Sequence, residues 1–131
     1  MALEFMSKPT PVRLRSLRTG GQTGVDRAVL DVALASGLRV QGWCPKGRRA
    51  EDGPLDKRYP LTETPSDDSA QRTEWNVRDS DGTLVLLRDK MDPGTALTTR
   101  QANRQSRPLL LVDLENPLDS ATVRQWIRRS G

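Results

Sequence analysis

The sequence predicts one α/β domain with a Rossmann-like, mostly parallel sheet and helices on both of its faces. Three observations support this fold class. A glycine-rich turn at residues 20–24 stands between a strand-like segment and an amphipathic helical segment. Apolar runs at Thr83–Leu87 and at residues 108–114 each follow a helical stretch, an alternation typical of βαβ units. The length of 131 residues corresponds to a single domain with one core.

The first strand, helix and strand can be assigned from their periodicity. Residues 12–18 alternate apolar and charged side chains, which predicts a half-buried strand. Residues 38–43 predict a second strand, parallel to the first with a right-handed crossover. The helix between them is predicted to end at Gly37 and to bury one face, made by Val25, Ala28, Val29, Val32 and Ala33.

The glycine-rich turn is the first candidate site. Three glycines within five residues, Gly20, Gly21 and Gly24, permit positive φ and close approach of a ligand to the backbone. The helix N-terminus behind them has unpaired N–H groups and about half a positive charge, which suits a phosphate or a carboxylate. Asp26 would repel a phosphate there unless it capped N–H groups, held a metal or accepted a ribose hydroxyl, and capping or the ribose is favoured. The alternative is a tight turn without a ligand.

Residues 44–54 form the second candidate site. They are too rich in glycine and proline for a helix or a central strand, so they predict a loop at the C-terminal end of a strand. Ligands bind at that edge of open parallel sheets, which makes Lys46, Arg48 and Arg49 candidates to meet an anion held by the glycine turn. A solvated loop whose charges pair with Glu51 and Asp52 is an equal alternative.

A polar helix follows a short extended segment at residues 61–64. Ser66 can cap this helix, which is predicted to run to about Asp79 with Arg72 and Asn76 along one side. Because the helix leads directly into the apolar strand Thr83–Leu87, we expect part of its polar side to face a cleft.

A second glycine-containing turn, at residues 92–95, precedes a helix predicted over residues 96–105. Gly94 allows close approach and Thr95 offers a hydroxyl, so the two turns are placed to grip two ends of one phosphorylated ligand. Pro93 has no N–H to donate, and we therefore expect this turn to contribute less than the first. A last helix is predicted from about Ser120.

Composition excludes several kinds of site and favours a lean aliphatic core. The chain has no histidine and one cysteine, Cys44, so the usual zinc sets, a Cys-His pair, a Ser-His-Asp triad and an internal disulfide are ruled out. No metal site is predicted. With one Phe and one Tyr, the core is expected to take its large side chains from Trp43, Trp75 and Trp126.

Charge and hydropathy set the expected location and partners. The net charge is +4, but residues 1–18 and 120–131 together carry seven basic and one acidic side chain, so the middle of the chain has a net charge of −2, which argues against specific nucleic-acid binding. No apolar run approaches the ~20 residues of a membrane span, and we expect a cytoplasmic protein. Residues 1–7 are expected to be vector-derived or disordered, with the domain over residues 8–131.

Three stretches in the first two thirds of the chain resemble one family. They are GGQTGVDR at residues 20–27, GWCPKGRRAEDG at residues 42–53 and QRTEWNVRDSDG at residues 71–82. Together they resemble the circularly permuted YpsA-like branch of the SLOG superfamily, long labelled as molybdenum carriers. The resemblance implies a Rossmann-like fold, frequent homo-oligomers, and a site for a nucleotide or another phosphorylated small molecule at the C-terminal edge of the sheet.

Carried over position by position, the resemblance assigns phosphate-loop, basic-loop and polar-helix residues. The phosphate loop matches at Gly20, Gly21, Thr23, Gly24 and Asp26, with Gln22 inside it. The basic loop matches at Lys46, Arg48 and Arg49, and the polar helix at Arg72, Glu74 and Asn76. The family's later Gly-Gly-Thr element reads Pro93-Gly94-Thr95 here.

An enzyme is the alternative that the resemblance leaves open. Related LOG enzymes cleave the N-glycosidic bond of nucleotides with a Glu that lies a few residues after their Gly-Thr. In this chain that place is held by Thr98, Thr99 and Arg100, so the catalytic Glu does not carry over by position. Glu74, acting with Arg72, is then the candidate carboxylate for hydrolysis of an N-glycosidic or phosphate-ester bond. The competing interpretation is a surface pair between Glu74 and Arg78. No cofactor is identified.

Overall fold

The computed structural model describes residues 14–88 and 91–130. These residues contain eight short strands and four helices. In chain order they are β1 (Leu17–Arg18), α1 (Val25–Ala35), β2 (Val40–Gln41), β3 (Trp43–Cys44), β4 (Arg49–Ala50), β5 (Gly53–Pro54), β6 (Thr62–Glu63), α2 (Ser69–Arg78), β7 (Thr83–Leu87), α3 (Pro93–Arg104), β8 (Leu109–Asp113) and α4 (Ser120–Ser130). The expectations for residues 1–7 and the start of the first predicted strand fall outside the described residues.

The fold is mixed α/β, and most of its strands are parallel. β1 pairs with β2, β3 with β6 and β7 with β8, all in parallel, whereas β4 and β5 form an antiparallel hairpin. The predicted parallel pair around α1 is therefore confirmed. The described strands make four separate two-stranded ladders rather than one continuous ladder of hydrogen bonds.

Gly42 joins two of these ladders. It lies between β2 and β3, and its carbonyl oxygen accepts a hydrogen bond of 2.9 Å from the Thr62 amide. Its φ is +145°, and a Cβ built at this position would lie 2.4 Å from the Thr19 carbonyl oxygen. Only glycine lets the backbone of β1 and the kinked β2–β3 segment approach so closely.

The main core is aliphatic and contains one aromatic ring. It consists of Leu30, Ala33, Val40, Cys44, Leu55, Tyr59 and Leu61. The Tyr59 hydroxyl donates to Asp31 Oδ1 at 2.6 Å, which satisfies its polar end. The prediction that the tryptophans are the core's large pieces was wrong, because all three are only partly buried.

The predicted buried face of α1 was also wrong in part. Leu30 and Ala33 are fully buried, but Val25, Ala28 and Val32 are exposed, Val32 to 65%. The apolar surface of α1 is wider than the strip that the described strands cover. The remaining apolar side chains border an open groove.

A pair of tryptophan rings and a hydrogen bond from Trp43 to Asp79 fasten α2 to β3. The rings of Trp43 and Trp75 meet edge to face at 4.7 Å, and Trp43 Nε1 donates to Asp79 Oδ2 at 2.8 Å. The Arg78 guanidinium, with this indole, lowers the pKa of Asp79 to about 2. These contacts fix the orientation of the helix that carries Arg72.

The described residues were compared with the requirements for a membrane-spanning helix. None of its helices combines the length and the apolar character needed to cross a bilayer.

Candidate functional site

The glycine loop, residues 19–24, connects β1 to α1 and packs tightly at its first two glycines. A Cβ on Gly20 would lie 2.4 Å from Arg72 Nη1, and one on Gly21 would lie 2.6 Å from Leu61 Cδ1. Gly24 is different: its φ is +84°, and a Cβ there would meet no atom within 4 Å. Packing therefore explains Gly20 and Gly21, while Gly24 faces open space.

Most amides at the start of the loop are already hydrogen-bonded. Gly21 N donates to Thr19 Oγ1 at 3.2 Å, Gln22 N to Asp26 Oδ2 at 3.3 Å, and Thr23 N to Gln22 Oε1 at 3.1 Å. Asp26 thus caps a loop amide, one of the two roles favoured from the sequence. The amides of Gly24 and Val25 make no hydrogen bond among the described residues, so the donors open to a ligand lie at the end of the loop.

The N-terminus of α1 is the one helix start without a side-chain cap in residues 14–88 and 91–130. Its N-cap residue, Gly24, has no side chain and makes no cap hydrogen bond. The other three helices are capped by aspartates, which accept from backbone amides at 2.7–2.9 Å: Asp68 from Ala70, Asp92 from Thr95, and Asp119 from Thr122. The positive end of the α1 dipole therefore has no side-chain cap, and Asp26 is the acidic residue in its first turn.

Arg72 brings a positive charge from α2 to the glycine loop. Its Nη1 donates to the Gly20 carbonyl oxygen at 3.2 Å, and its side chain is largely buried. Burial lowers the pKa of Arg72, and the charge of Asp26 opposes that shift. Burial likewise raises the pKa of Asp26, with the charge of Arg72 as the largest opposing effect. Each of these two groups therefore offsets part of the cost of burying the other.

The β4–β5 hairpin covers one side of the loop. Its tip holds the loop through the Glu51 amide, which donates to Gln22 Oε1 at 2.7 Å, and through Thr23 Oγ1, which donates to Glu51 Oε2 at 3.0 Å. Arg27 also forms a two-fold ion pair with Asp52, at 2.9 and 3.0 Å. The sequence predicted only a loop here. It gave no signal that the acidic hairpin tip would pair with the glycine loop.

The three cations of the basic loop have different environments. Lys46 and Arg49 are exposed and border a shallow depression of about 560 Å³, together with Glu63, Ser66 and Asp67. Arg48 instead donates to four backbone carbonyl oxygens over 2.8–3.4 Å, those of Leu55, Asp56, Tyr59 and Leu61. Its guanidinium holds the chain after β5 in place, so the structure gives Arg48 a supporting position rather than an open one.

The residues predicted as site residues on the polar helix, now α2, do not lie together in the structure. Asn76 forms two hydrogen bonds with the Trp43 backbone, at 2.8 and 3.0 Å, and is thereby tied to β3. Glu74 is exposed and lies about 200° around α2 from Arg72, since each residue advances about 100°. Arg78 pairs with Asp79 at 2.8 Å rather than with Glu74. Neither the catalytic pair Glu74–Arg72 nor the surface pair Glu74–Arg78 is formed.

The second glycine turn is closed by its own cap. Thr95 N donates to Asp92 Oδ1 at 2.7 Å, and both Gly94 and Asp92 are exposed. An anion at this turn would have to displace the Asp92 carboxylate. Gly94 and Thr95 are therefore less available to a ligand than the start of α1.

Metal-binding potential is low in the described residues. They contain no group of three or more His, Cys, Asp or Glu side chains arranged to hold an ion. Cys44 is fully buried, and burial raises the pKa of its thiol.

Comparison with known proteins adds a family and one solved relative. The model of the Circularly permutated YpsA SLOG family matches residues 17–131. A crystal structure of a Putative molybdenum carrier protein from Syntrophus aciditrophicus SB is similar, with a TM-score of 0.85 and 38% sequence identity. The match covers 91% of this chain and 77% of that one. No curated protein matches the chain.

Proposed function

The chain belongs to the Circularly permutated YpsA SLOG family, and from this premise we propose that it binds a nucleotide or another phosphorylated small molecule at the glycine loop. One observation carries the proposal. α1 is the helix start without a side-chain cap in the described residues, and the uncapped amides follow a loop whose last glycine faces open space. Unpaired amides and the helix dipole together form a binding site for an anion.

The groups around the uncapped amides support a ligand with hydroxyls beside its phosphate. Asp26 lies within one helical turn of the free amides, and one of its oxygens already accepts from Gln22 N. A carboxylate disfavours a bare anion but accepts hydrogen bonds from hydroxyl groups. A ribose phosphate unit satisfies both preferences. Arg72 supplies positive charge at the loop, where its Nη1 donates to the Gly20 carbonyl oxygen. Lys46 and Arg49 border a separate depression without a loop residue, and we propose them as contacts for a part of the ligand that extends beyond the loop.

Other oxyanions belong to the same chemical class. The relative from Syntrophus is described as a molybdenum carrier, and molybdate is, like phosphate, a tetrahedral dianion. The amides of Gly24 and Val25 suit either ion, so a carrier function is compatible with the same site. Family resemblance further supports a cytoplasmic homo-oligomer with its strands in one Rossmann-like sheet.

Hydrolysis of a nucleotide is the second candidate function. Glu74 lies away from Arg72, and the carboxylate whose charge interacts with Arg72 at the loop is Asp26. Burial raises the pKa of Asp26, which is the direction of shift that a carboxyl acting as a general acid needs. Chromatography of nucleotides incubated with the protein tests this directly. Turnover that Asp26→Asn abolishes and Glu74→Gln retains would establish the enzyme.

Calorimetry against phosphate, molybdate, ribose 5-phosphate, AMP and ADP-ribose tests the binding proposal. The informative variant is Val25→Pro, which removes one free N–H at the first position of α1, where proline fits a helix. We expect it to weaken binding about tenfold or more, because one hydrogen bond to a charged group contributes about 1.5–3 kcal/mol. Ser69→Pro is the matched control, since it makes the same change at the capped start of α2. The proposal would be refuted if none of these ligands bound the parent protein, or if the parent and Val25→Pro bound them equally.

Asp26→Asn separates charge repulsion from hydroxyl recognition. Removing the carboxylate charge should tighten binding of inorganic sulfate roughly tenfold at low salt. The advantage of ribose 5-phosphate over inorganic phosphate should shrink, because an amide accepts hydroxyl hydrogen bonds more weakly than a carboxylate.

The pH profile of sulfate binding provides the second readout for Asp26. Its carboxyl has a raised pKa in the folded protein, so it loses charge as the pH falls through that value. Sulfate keeps its charge over this range, and the parent should therefore bind it more tightly at lower pH. Asp26→Asn should give a flat profile. A sloping profile in the variant would assign the effect to another group.

A further inference from the structure

The tip of the β4–β5 hairpin carries two carboxylates, and their charges are balanced differently. Asp52 accepts from Arg27 at 2.9 and 3.0 Å, and this guanidinium lowers the pKa of Asp52. Glu51 Oε2 instead accepts from a neutral group, the Thr23 hydroxyl, at 3.0 Å. The described residues give Glu51 no ion-pair partner. Glu51 therefore holds an unbalanced negative charge against the glycine loop.

The backbone position of Glu51 does not depend on its carboxylate. Its amide donates to Gln22 Oε1 at 2.7 Å, and the ion pair between Arg27 and Asp52 holds the next residue. Arg48 anchors the chain that follows the hairpin through backbone carbonyl oxygens. Because the Glu51 side chain is exposed, its carboxylate is able to turn into solvent while the hairpin stays in place.

The hydroxyl that Glu51 binds is adjacent to the open end of the loop. Thr23 directly precedes Gly24 and Val25, whose amides are the donors open to a ligand. Standard bond lengths place the Glu51 carboxylate within roughly 8 Å of the Gly24 amide, which is less than the Debye length at 0.1 M salt. A Cβ on Gly24 would meet no atom within 4 Å, so the space beside this residue is open to an anion. An anion bound there would experience the charge of Glu51.

We propose that Glu51 is an internal competitor of the anion at the glycine loop and determines how tightly that anion binds. The inference rests on the proposed function of the loop. In the free protein Glu51 accepts the one proton that the Thr23 hydroxyl can donate. A phosphate on the amides of Gly24 and Val25 accepts this proton in its place, and the displaced carboxylate turns into solvent. Binding therefore includes the loss of an existing hydrogen bond and the repulsion of a nearby charge.

Calorimetry with sulfate and with AMP at low salt tests the competition. Glu51→Gln removes the charge and leaves a weaker acceptor for the Thr23 hydroxyl, so we expect both ligands to bind about fivefold more tightly. The gain should decrease at high salt as the remaining repulsion is screened. Glu115→Gln is the matched control, because it makes the same change at an exposed carboxylate in the turn after β8. It should alter the affinity less than twofold.

Thr23→Val separates competition for the hydroxyl from charge repulsion. The substitution keeps the shape of the side chain and removes the group that Glu51 and the anion share. In a Thr23→Val background, Glu51→Gln should therefore tighten sulfate binding only about twofold, through repulsion alone. Thermal unfolding of each variant checks that the fold is retained.

Two outcomes would overturn the inference while leaving the proposed function intact. In the first, sulfate binds the parent and Glu51→Gln equally. In the second, Glu51→Gln gains as much affinity in the Thr23→Val background as in the parent, which would mean that the hydroxyl is not shared. If neither sulfate nor AMP bound the parent or Glu51→Gln, the proposed function would fail, and this inference with it.

Discussion

Gly42→Ala is expected to lower the free energy of unfolding by about 3 kcal/mol or more, through a backbone clash added to an unfavourable φ. The new Cβ would lie 2.4 Å from the Thr19 carbonyl oxygen and 3.0 Å from the Thr19 amide nitrogen. These are main-chain atoms of the segment that enters the glycine loop, so no side-chain rotation relieves the contact. The change should separate β1 from the β2–β3 segment and disturb the loop with it.

Gly53→Ala is the matched control for this variant. Gly53 also has a positive φ, +111°, but a Cβ there would meet no atom within 4 Å. Its substitution should cost only the conformational term, about 1–2 kcal/mol. Urea denaturation of both variants gives the comparison. Equal losses would show that φ alone, and not the approach of Thr19, makes glycine necessary at position 42.

Arg72→Met should be the most damaging exchange on α2, with an expected loss of about 2–4 kcal/mol. It removes the bond to the Gly20 carbonyl oxygen and leaves the Asp26 carboxylate without its strongest opposing charge. Arg78→Met, on the same helix, should cost about 1 kcal/mol or less, because its pair with Asp79 is largely solvated. Ligand affinity should fall with Arg72→Met and stay unchanged with Arg78→Met.

The pH dependence of the loss of unfolding free energy in Arg72→Met shows how much of that loss comes from the interaction between Arg72 and Asp26. In Arg72→Met the pKa of Asp26 rises further, since the charge that opposed the burial effect is gone. A group with a raised folded pKa stabilises the fold most below its unfolded pKa and loses that contribution as the pH rises. The deficit of Arg72→Met should therefore be larger at neutral pH than in acid. In an Asp26→Asn background it should shrink and lose its pH dependence.

The parts of the fold that the sequence predicted well depend on local signals. The start of α1 at Val25 follows directly from the glycines and from the helical spacing of apolar residues, and its end near Ser36 follows from Gly37. The strand Thr83–Leu87 contains the uninterrupted apolar run Leu84–Leu87, and its predicted bounds are the observed ones. Local sequence carries enough information where one residue type restricts the backbone.

The errors concern contacts between distant segments. Which side of α1 is buried depends on strands elsewhere in the chain, and the spacing of Val25, Ala28 and Val32 does not distinguish a covered face from an open groove. The hairpin at β4–β5 is held by Gln22, Thr23 and Arg27, which lie over 20 residues earlier. No pattern within residues 44–54 indicates that pairing.

Polar residues near a predicted site were the hardest to interpret. Arg48 and Asn76 look like ligand contacts because they are polar and lie in matching motifs. In the structure their donors and acceptors satisfy backbone groups of residues 43 and 55–61. A side chain that holds a loop or strand in place and one that binds a ligand have the same sequence signature, and only geometry separates them.

Two-dimensional ¹H–¹⁵N NMR during titration with AMP at low salt measures directly where the anion binds. The amides of Gly24 and Val25 should shift most and saturate together, and the Thr95 amide, held by Asp92, should stay unchanged. In Val25→Pro the chemical-shift change of the Gly24 amide should need a higher AMP concentration to saturate, whereas in Ser69→Pro it should saturate as in the parent. Shifts confined to Lys46 and Arg49, with Gly24 and Val25 unmoved, would contradict an anion site at the start of α1.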